Sequence, residues 1–210
     1  AMFIGWTMGG HPSPNIELAQ RLSRKPAPSI EAVLTEIATE RYGAEGAPLA
    51  RQAWTGMSEA FREYPFHISV VYTCPVQTGP ANPLYAQPTG YSATMWGIPY
   101  DNLDGWRGPY PPEVFAAQFE KLATGWRAGV EALQQAAQQA PEATRTGADA
   151  DVRFAAASGM HFQSVANQAR FVIARDALAA ATEESERSRL RSELSRLLNA
   201  ELALAKELYT

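Results

Sequence analysis

The chain is expected to be mainly α: a helical bundle carrying a long loop insertion rich in proline, glycine and aromatic residues, with at most a minor N-terminal strand. Three observations lead there. The stretch after Pro111 contains three long apolar stripes at helical spacing. Residues 64–112 hold most of the fifteen prolines and six of the eight tyrosines, beside Trp96 and Trp106. Proline removes a backbone donor and clashes with the preceding turn, so this segment cannot form one helix. A loop of such length inside a compact chain is usually functional or disordered, and its aromatic content argues against disorder.

Taken in order, Met2 to Met8 is short, apolar and β-prone, and enters the tight sequence Gly9-Gly10-His11-Pro12-Ser13-Pro14-Asn15. A strand there needs a partner, and Ile68 to Thr73 is the candidate. A first helix is expected over Ile16 to Leu22. Ser29 caps a second from Ile30 to Tyr42, with Gly43 where a C-terminal cap belongs. From Pro48, the residues Leu49, Ala53, Trp54, Met57, Phe61 and Tyr64 recur at helical steps, giving a third helix that ends at Pro65. After the loop, Pro111-Pro112-Glu113 supplies a helix start with an acid in the first turn. Phe115, Phe119, Leu122, Trp126, Val130 and Leu133 then mark a long packed helix. Pro141 to Ala148 reads as a connector, Phe154 to Ala180 as a second long helix, and Glu183 to Tyr209 as a third. The charges between Glu183 and Arg196 read as a solvated face, with pairs such as Glu183 and Arg187. The 210 residues are read as one domain, with an irregular half over 1–110 and a long-helix half over 111–210.

Composition narrows the function. A net charge of −4 with no dense Lys/Arg stripe argues against generic nucleic-acid binding. The longest apolar runs fall far short of the ~20 residues that cross a bilayer, and residues 2–6 lack the form of a secretory signal. A cytoplasmic protein is expected. The single Cys74 excludes an internal disulfide and a cysteine-cluster metal site. His11, His67 and His161 lack metal-ligand spacing, and no dinucleotide loop or nucleophile elbow is present, so no metal and no cofactor is expected.

The chemistry the loop suggests is carbohydrate recognition, because aromatic rings cover apolar sugar faces and carboxylates bond hydroxyls. Asp101 and Asp104 stand three apart between Tyr100 and Trp106. Glycosidases use two carboxyl groups, and Asp101, Asp104 and Glu59 are the catalytic candidates. Asp104 equally suits a turn, since Asp and Asn bond nearby backbone. Glu59 and Glu63, at i and i+4, equally suit an exposed face beside Arg62. Glu113 reads as a helix-end charge. Trp6, Trp96, Tyr100 and Trp106 are candidate stacking platforms, and His11 and Asn15 candidate ligand contacts.

Residues 3–15, read as Phe3-Ile4-Gly5-Trp6-Thr7-Met8-Gly9-Gly10-His11-Pro12-Ser13-Pro14-Asn15, resemble the last barrel strand and following loop of large bacterial proteins related to glycoside hydrolases. Trp54 to Pro65, Gly79 to Leu84 and Asp101 to Pro109 resemble their downstream helical region. The resemblance covers roughly the first 130 residues and implies a (β/α)₈ parent, with this chain a fragment of it and the parent's usual acid and nucleophile outside the fragment. Two functions are expected on that basis: a glycoside hydrolase-like protein that binds and hydrolyses carbohydrate, or a non-catalytic helical module of a larger glycosidase-related protein. A homodimer is expected to cover the apolar surface that a missing barrel would expose.

Overall fold

The computed structural model describes residues 13–92 and 99–209. The expected strand over Met2 to Met8 lies outside them, as do Trp6, His11 and Trp96. Among the described residues the chain is mainly α, with seven α-helices: α1 (Pro14–Leu22), α2 (Ile30–Phe61), α3 (Ile68–Thr73), α4 (Leu103–Trp106), α5 (Pro112–Gln138), α6 (Glu142–Ala180) and α7 (Glu184–Tyr209). The extended pairing they contain is one isolated antiparallel bridge, Ser92 with Pro99. The chain divides into two compact units, Ala1–Met57 with Ala128–Phe154 and Ser58–Arg127 with Ala155–Thr210.

In the first unit, Gly43 adopts φ 75° and ψ 174°, so the two helices expected on either side of it join through a kink inside α2. A left-handed φ at this position favours glycine. Close approach fixes a second glycine: a Cβ on Gly46 would lie 2.7 Å from the Ala136 carbonyl oxygen. Ala38, Ala47, Ala50, Ala53, Ala136, Ala137, Ala140 and Ala148 are buried in this unit beside Val33, Ile37, Tyr42, Val130 and Leu133, a core built largely of small residues. Tyr42 donates to the Asp151 carboxylate at 2.7 Å, and Arg41 bonds the same carboxylate at 2.8 and 3.0 Å. Arg41 also reaches Glu17 on α1. Burial raises the Tyr42 hydroxyl pKa, and the adjacent Asp151 charge raises it further.

Two boundaries differ from the expectation. The proposed connector Pro141 to Ala148 is the first part of α6, which starts at Glu142. Proline at a helix start forfeits no intrahelical bond, and Thr144 and Arg145 N–H both bond the Pro141 carbonyl at 2.9 Å. Ile68 to Thr73, expected as a strand, is the helix α3. The residues themselves show why. Val70 and Cys74 are buried, whereas Ile68 and Tyr72 are exposed. A strand would put all four on one face, but a helix separates them. His67 caps the helix by accepting from the Ser69 N–H at 3.2 Å.

The second unit has a larger-residue core. Phe115, Phe119 and Leu122 of α5 meet Phe162, Val165, Ala169 and Val172 of α6, together with Val70, Leu103 and Trp106. These are the apolar stripes the spacing predicted. On α7 the side chains Leu190, Leu197 and Glu201 are buried. Arg187 pairs with Glu184 at 3.7 Å instead of the expected Glu183, and also caps α6 through the Ala181 carbonyl.

Candidate functional site

The irregular segment between α2 and α5 is held in the second unit by side chains that replace a hydrogen-bonded sheet. Asn102 caps α4 by accepting from the Asp104 and Gly105 N–H groups at 3.1 and 3.3 Å. This is the turn chemistry that Asn favours. The cap turns Trp106 inward, where it is fully buried and donates to the Pro99 carbonyl at 2.6 Å. Thr73 of α3 donates to the Gly105 carbonyl.

Asp101 is the second anchor. One carboxylate oxygen accepts from the Thr89 N–H at 2.8 Å and from Arg175 at 3.3 Å, and the other accepts from the Thr89 hydroxyl at 2.9 Å. The Asp101 and Arg175 side chains are 4% and 5% exposed, so this is a buried ion pair. Arg175 also bonds the Asp101 carbonyl and, through Nε, the Asp176 carboxylate at 2.8 Å.

A third anchor is a chain of amides. Asn82 donates to the Tyr100 carbonyl and to Gln168, each at 2.8 Å. Gln168 donates to the Gly79 carbonyl and to the Ser164 hydroxyl, which donates in turn to Glu201 at 2.6 Å. Asn167 donates to the other Glu201 oxygen at 2.8 Å. Burial raises the Glu201 carboxyl pKa, and the Ser164 and Asn167 bonds oppose that shift.

Next to these anchors lies a cavity of about 630 Å³. Its apolar walls include Pro88, Leu103, Pro111, Pro112, Val172 and Ile173, and its polar lining includes Asp101, Asp104, Glu113, Arg175 and Asp176. Every one of these carboxylates has an arginine: Asp104 pairs with Arg107 at 2.6 Å, Glu113 with Arg170, and Asp176 with Arg175.

The structure therefore brings Asp101 and Asp104 to one cavity. Glu59 does not line it; that side chain is exposed and pairs with Arg62 at 3.3 Å. Glu63 bonds Gln118 at 2.8 Å and pairs with Lys121. Tyr100 is half-buried, and its N–H bonds the Tyr91 carbonyl. Asn15 is exposed at the start of α1, in the other unit. His161 Nδ1 contacts the Val76 carbonyl at 2.7 Å. Cys74 is buried, which pushes its thiol pKa up and leaves it a poor nucleophile. Among the described residues no group of three His, Cys, Asp or Glu side chains is arranged to hold a metal ion, and no helix is long and apolar enough to cross a membrane.

Arg175, Asn82, Gln168 and Glu201 did not stand out in the sequence. One signal was available. Ser164, Gln168 and Arg175 run beside the apolar stripe of α6, and Glu201 interrupts Leu190, Leu197 and Leu204 at the same helical spacing. A polar residue on a buried face needs a partner.

No family model, no curated protein and no solved structure matches this chain.

Proposed function

We propose that the chain is a non-catalytic helical module of a glycosidase-related protein, and that its irregular segment serves to dock a neighbouring domain. The observation that carries this reading is the state of Asp101. An acid catalyst needs a carboxyl free to exchange a proton with substrate, and both oxygens of Asp101 are engaged by Thr89 and Arg175. Trp106, the described tryptophan of the loop, fills the core instead of offering a ring face.

Docking is supported by Ile68 and Tyr72, exposed on the capped helix α3, and by Phe66, exposed just before its cap. Large apolar side chains grouped in this way mark interaction surfaces. The occupant that fits is a barrel-type domain, because residues 3–15 resemble a barrel strand and its loop. Self-association into a homodimer is the competing use of the same residues, and sizing with light scattering separates the two.

A panel of chromogenic glycosides tests the reading. The wild-type chain should release no chromophore above the blank, and Asp101→Asn should alter stability alone. Turnover by the wild type that Asp101→Asn abolishes without loss of fold would establish the hydrolase instead.

A further inference from the structure

In the first unit, α1 is held by charge more than by burial. None of the nine residues from Pro14 to Leu22 is buried, and Ile16, Leu18 and Leu22 are half-buried. A helix this short is marginal by itself in water, where isolated helices below about 12–15 residues rarely persist. Its order therefore depends on what it docks against.

The partner is α2, and the contacts are ionic. Arg21 reaches Glu36 at 2.9 Å and Glu40 at 2.5 Å, and Arg24, in the turn after α1, lies 3.8 Å from Glu36. In the opposite sense, Glu17 of α1 accepts from Arg41 of α2 at 2.5 Å. Glu17 and Arg21 stand one turn apart, so one face of α1 offers an acid and a base to a base and two acids on α2. The Arg21 bond holds the Glu40 carboxyl below its usual range.

These charges are open to screening. The Glu17, Glu36 and Glu40 side chains are 30%, 45% and 55% exposed, so salt reaches them. Beneath them the contacts are drier. Arg41 also holds Asp151, whose side chain is 7% exposed and accepts from the buried Tyr42. Removal of α1 takes Glu17 from Arg41 and leaves that inner set of bonds in place. Segments with few buried apolar contacts are the ones that open locally.

We propose that α1 is an electrostatic strap, closed over the Arg41–Asp151 pair while its ion pairs with α2 hold, and released without unfolding of the first unit when those charges are screened or removed. Amide hydrogen exchange of the whole chain at about 0.01 M and about 1 M sodium chloride tests it, because the screening length falls from about 30 Å to about 3 Å between them. The amides of Leu18, Ala19 and Leu22 should exchange at least tenfold faster at high salt, while those of Ala50, Ala53 and Val130 change less than twofold. Glu36→Gln combined with Glu40→Gln leaves the sequence of α1 intact. It should speed the same α1 amides at least tenfold at low salt and blunt their response to salt. Glu31→Gln breaks a pair with Arg51 inside α2 and should leave α1 unchanged.

Equal exchange of α1 at both salt concentrations would show that packing holds the helix, and would overturn the strap. Unprotected α1 amides at low salt would overturn it too, as would exchange of α1 in step with Ala50 and Val130, which marks opening of the whole unit. Wild-type exchange in the Glu36, Glu40 double variant at low salt would overturn the assignment of its ion pairs. The docking role concerns α3 in the second unit and is judged by sizing and glycoside cleavage, so either idea can fail alone.

Discussion

Two arginine–aspartate pairs, the part-buried Arg41 with Asp151 in the first unit and the buried Arg175 with Asp101 in the second, are built alike but hold different kinds of structure. In each, the arginine spans a buried aspartate and a more exposed carboxylate, Glu17 in one case and Asp176 in the other. The difference lies in what else the aspartate holds. Asp151 accepts from the hydroxyl of Tyr42, a core side chain on a long helix. Asp101 accepts from the backbone N–H and hydroxyl of Thr89, in a segment with no regular structure. The first pair ties helix to helix, and the second ties a loop to a helix. A helix has its own backbone bonds, whereas a loop must find partners elsewhere.

Variants can break or sharpen that contrast. The largest loss is expected from Trp106→Ala, because a fully buried aromatic and its bond to Pro99 go together. Removal of such a ring costs about 3–5 kcal/mol, and urea denaturation should show it. Asp151→Asn should cost up to about 3–5 kcal/mol, the scale of stripping one partner from a buried ion pair, with Glu17 restraining the loss. It should lower global stability, measured by the same denaturation curves. Asp101→Asn strips one partner from the more buried pair and should cost on the same scale, up to about 3–5 kcal/mol, with Asp176 restraining the loss and the effect concentrated in the loop.

A pH effect follows from Glu201. Its folded-state pKa is raised by burial, so the native state binds the proton more tightly than the unfolded chain. Stability from this group is therefore greatest at low pH. It falls as pH rises from the ordinary carboxylate range through the raised value, with a slope of at most ~1.4 kcal/mol per pH unit. Denaturation midpoints of wild type and Glu201→Gln across pH 4–8 should differ in slope, the variant being flatter. The smallest effect belongs to Glu59→Gln. An exposed i,i+3 pair contributes little, and a change within about 0.5 kcal/mol is expected by thermal melting.

The helical half was legible because Phe115, Phe119, Leu122 and their successors repeat at a spacing that a single face must bury. Gly43 was legible as a break, though it kinks one helix instead of ending it. Ile68 to Thr73 was misread because β-branched residues in a six-residue run carry no decisive period, and tertiary packing of Val70 and Cys74 set the outcome. At the candidate site, Asp101 and Asp104, three apart in sequence, line one cavity. The partner of Asp101 could not be read, since Arg175 lies 74 residues away along the chain.

Hydrogen exchange at the Thr89 amide tests the central claim most directly, because that N–H bonds the Asp101 carboxylate. If Asp101 is a loop anchor, Asp101→Asn should accelerate exchange at Thr89 and Tyr91 by at least tenfold while the amides of α5 and α6 keep wild-type protection. Unchanged exchange at Thr89 in the variant would show that the loop is held without Asp101, and would contradict the account.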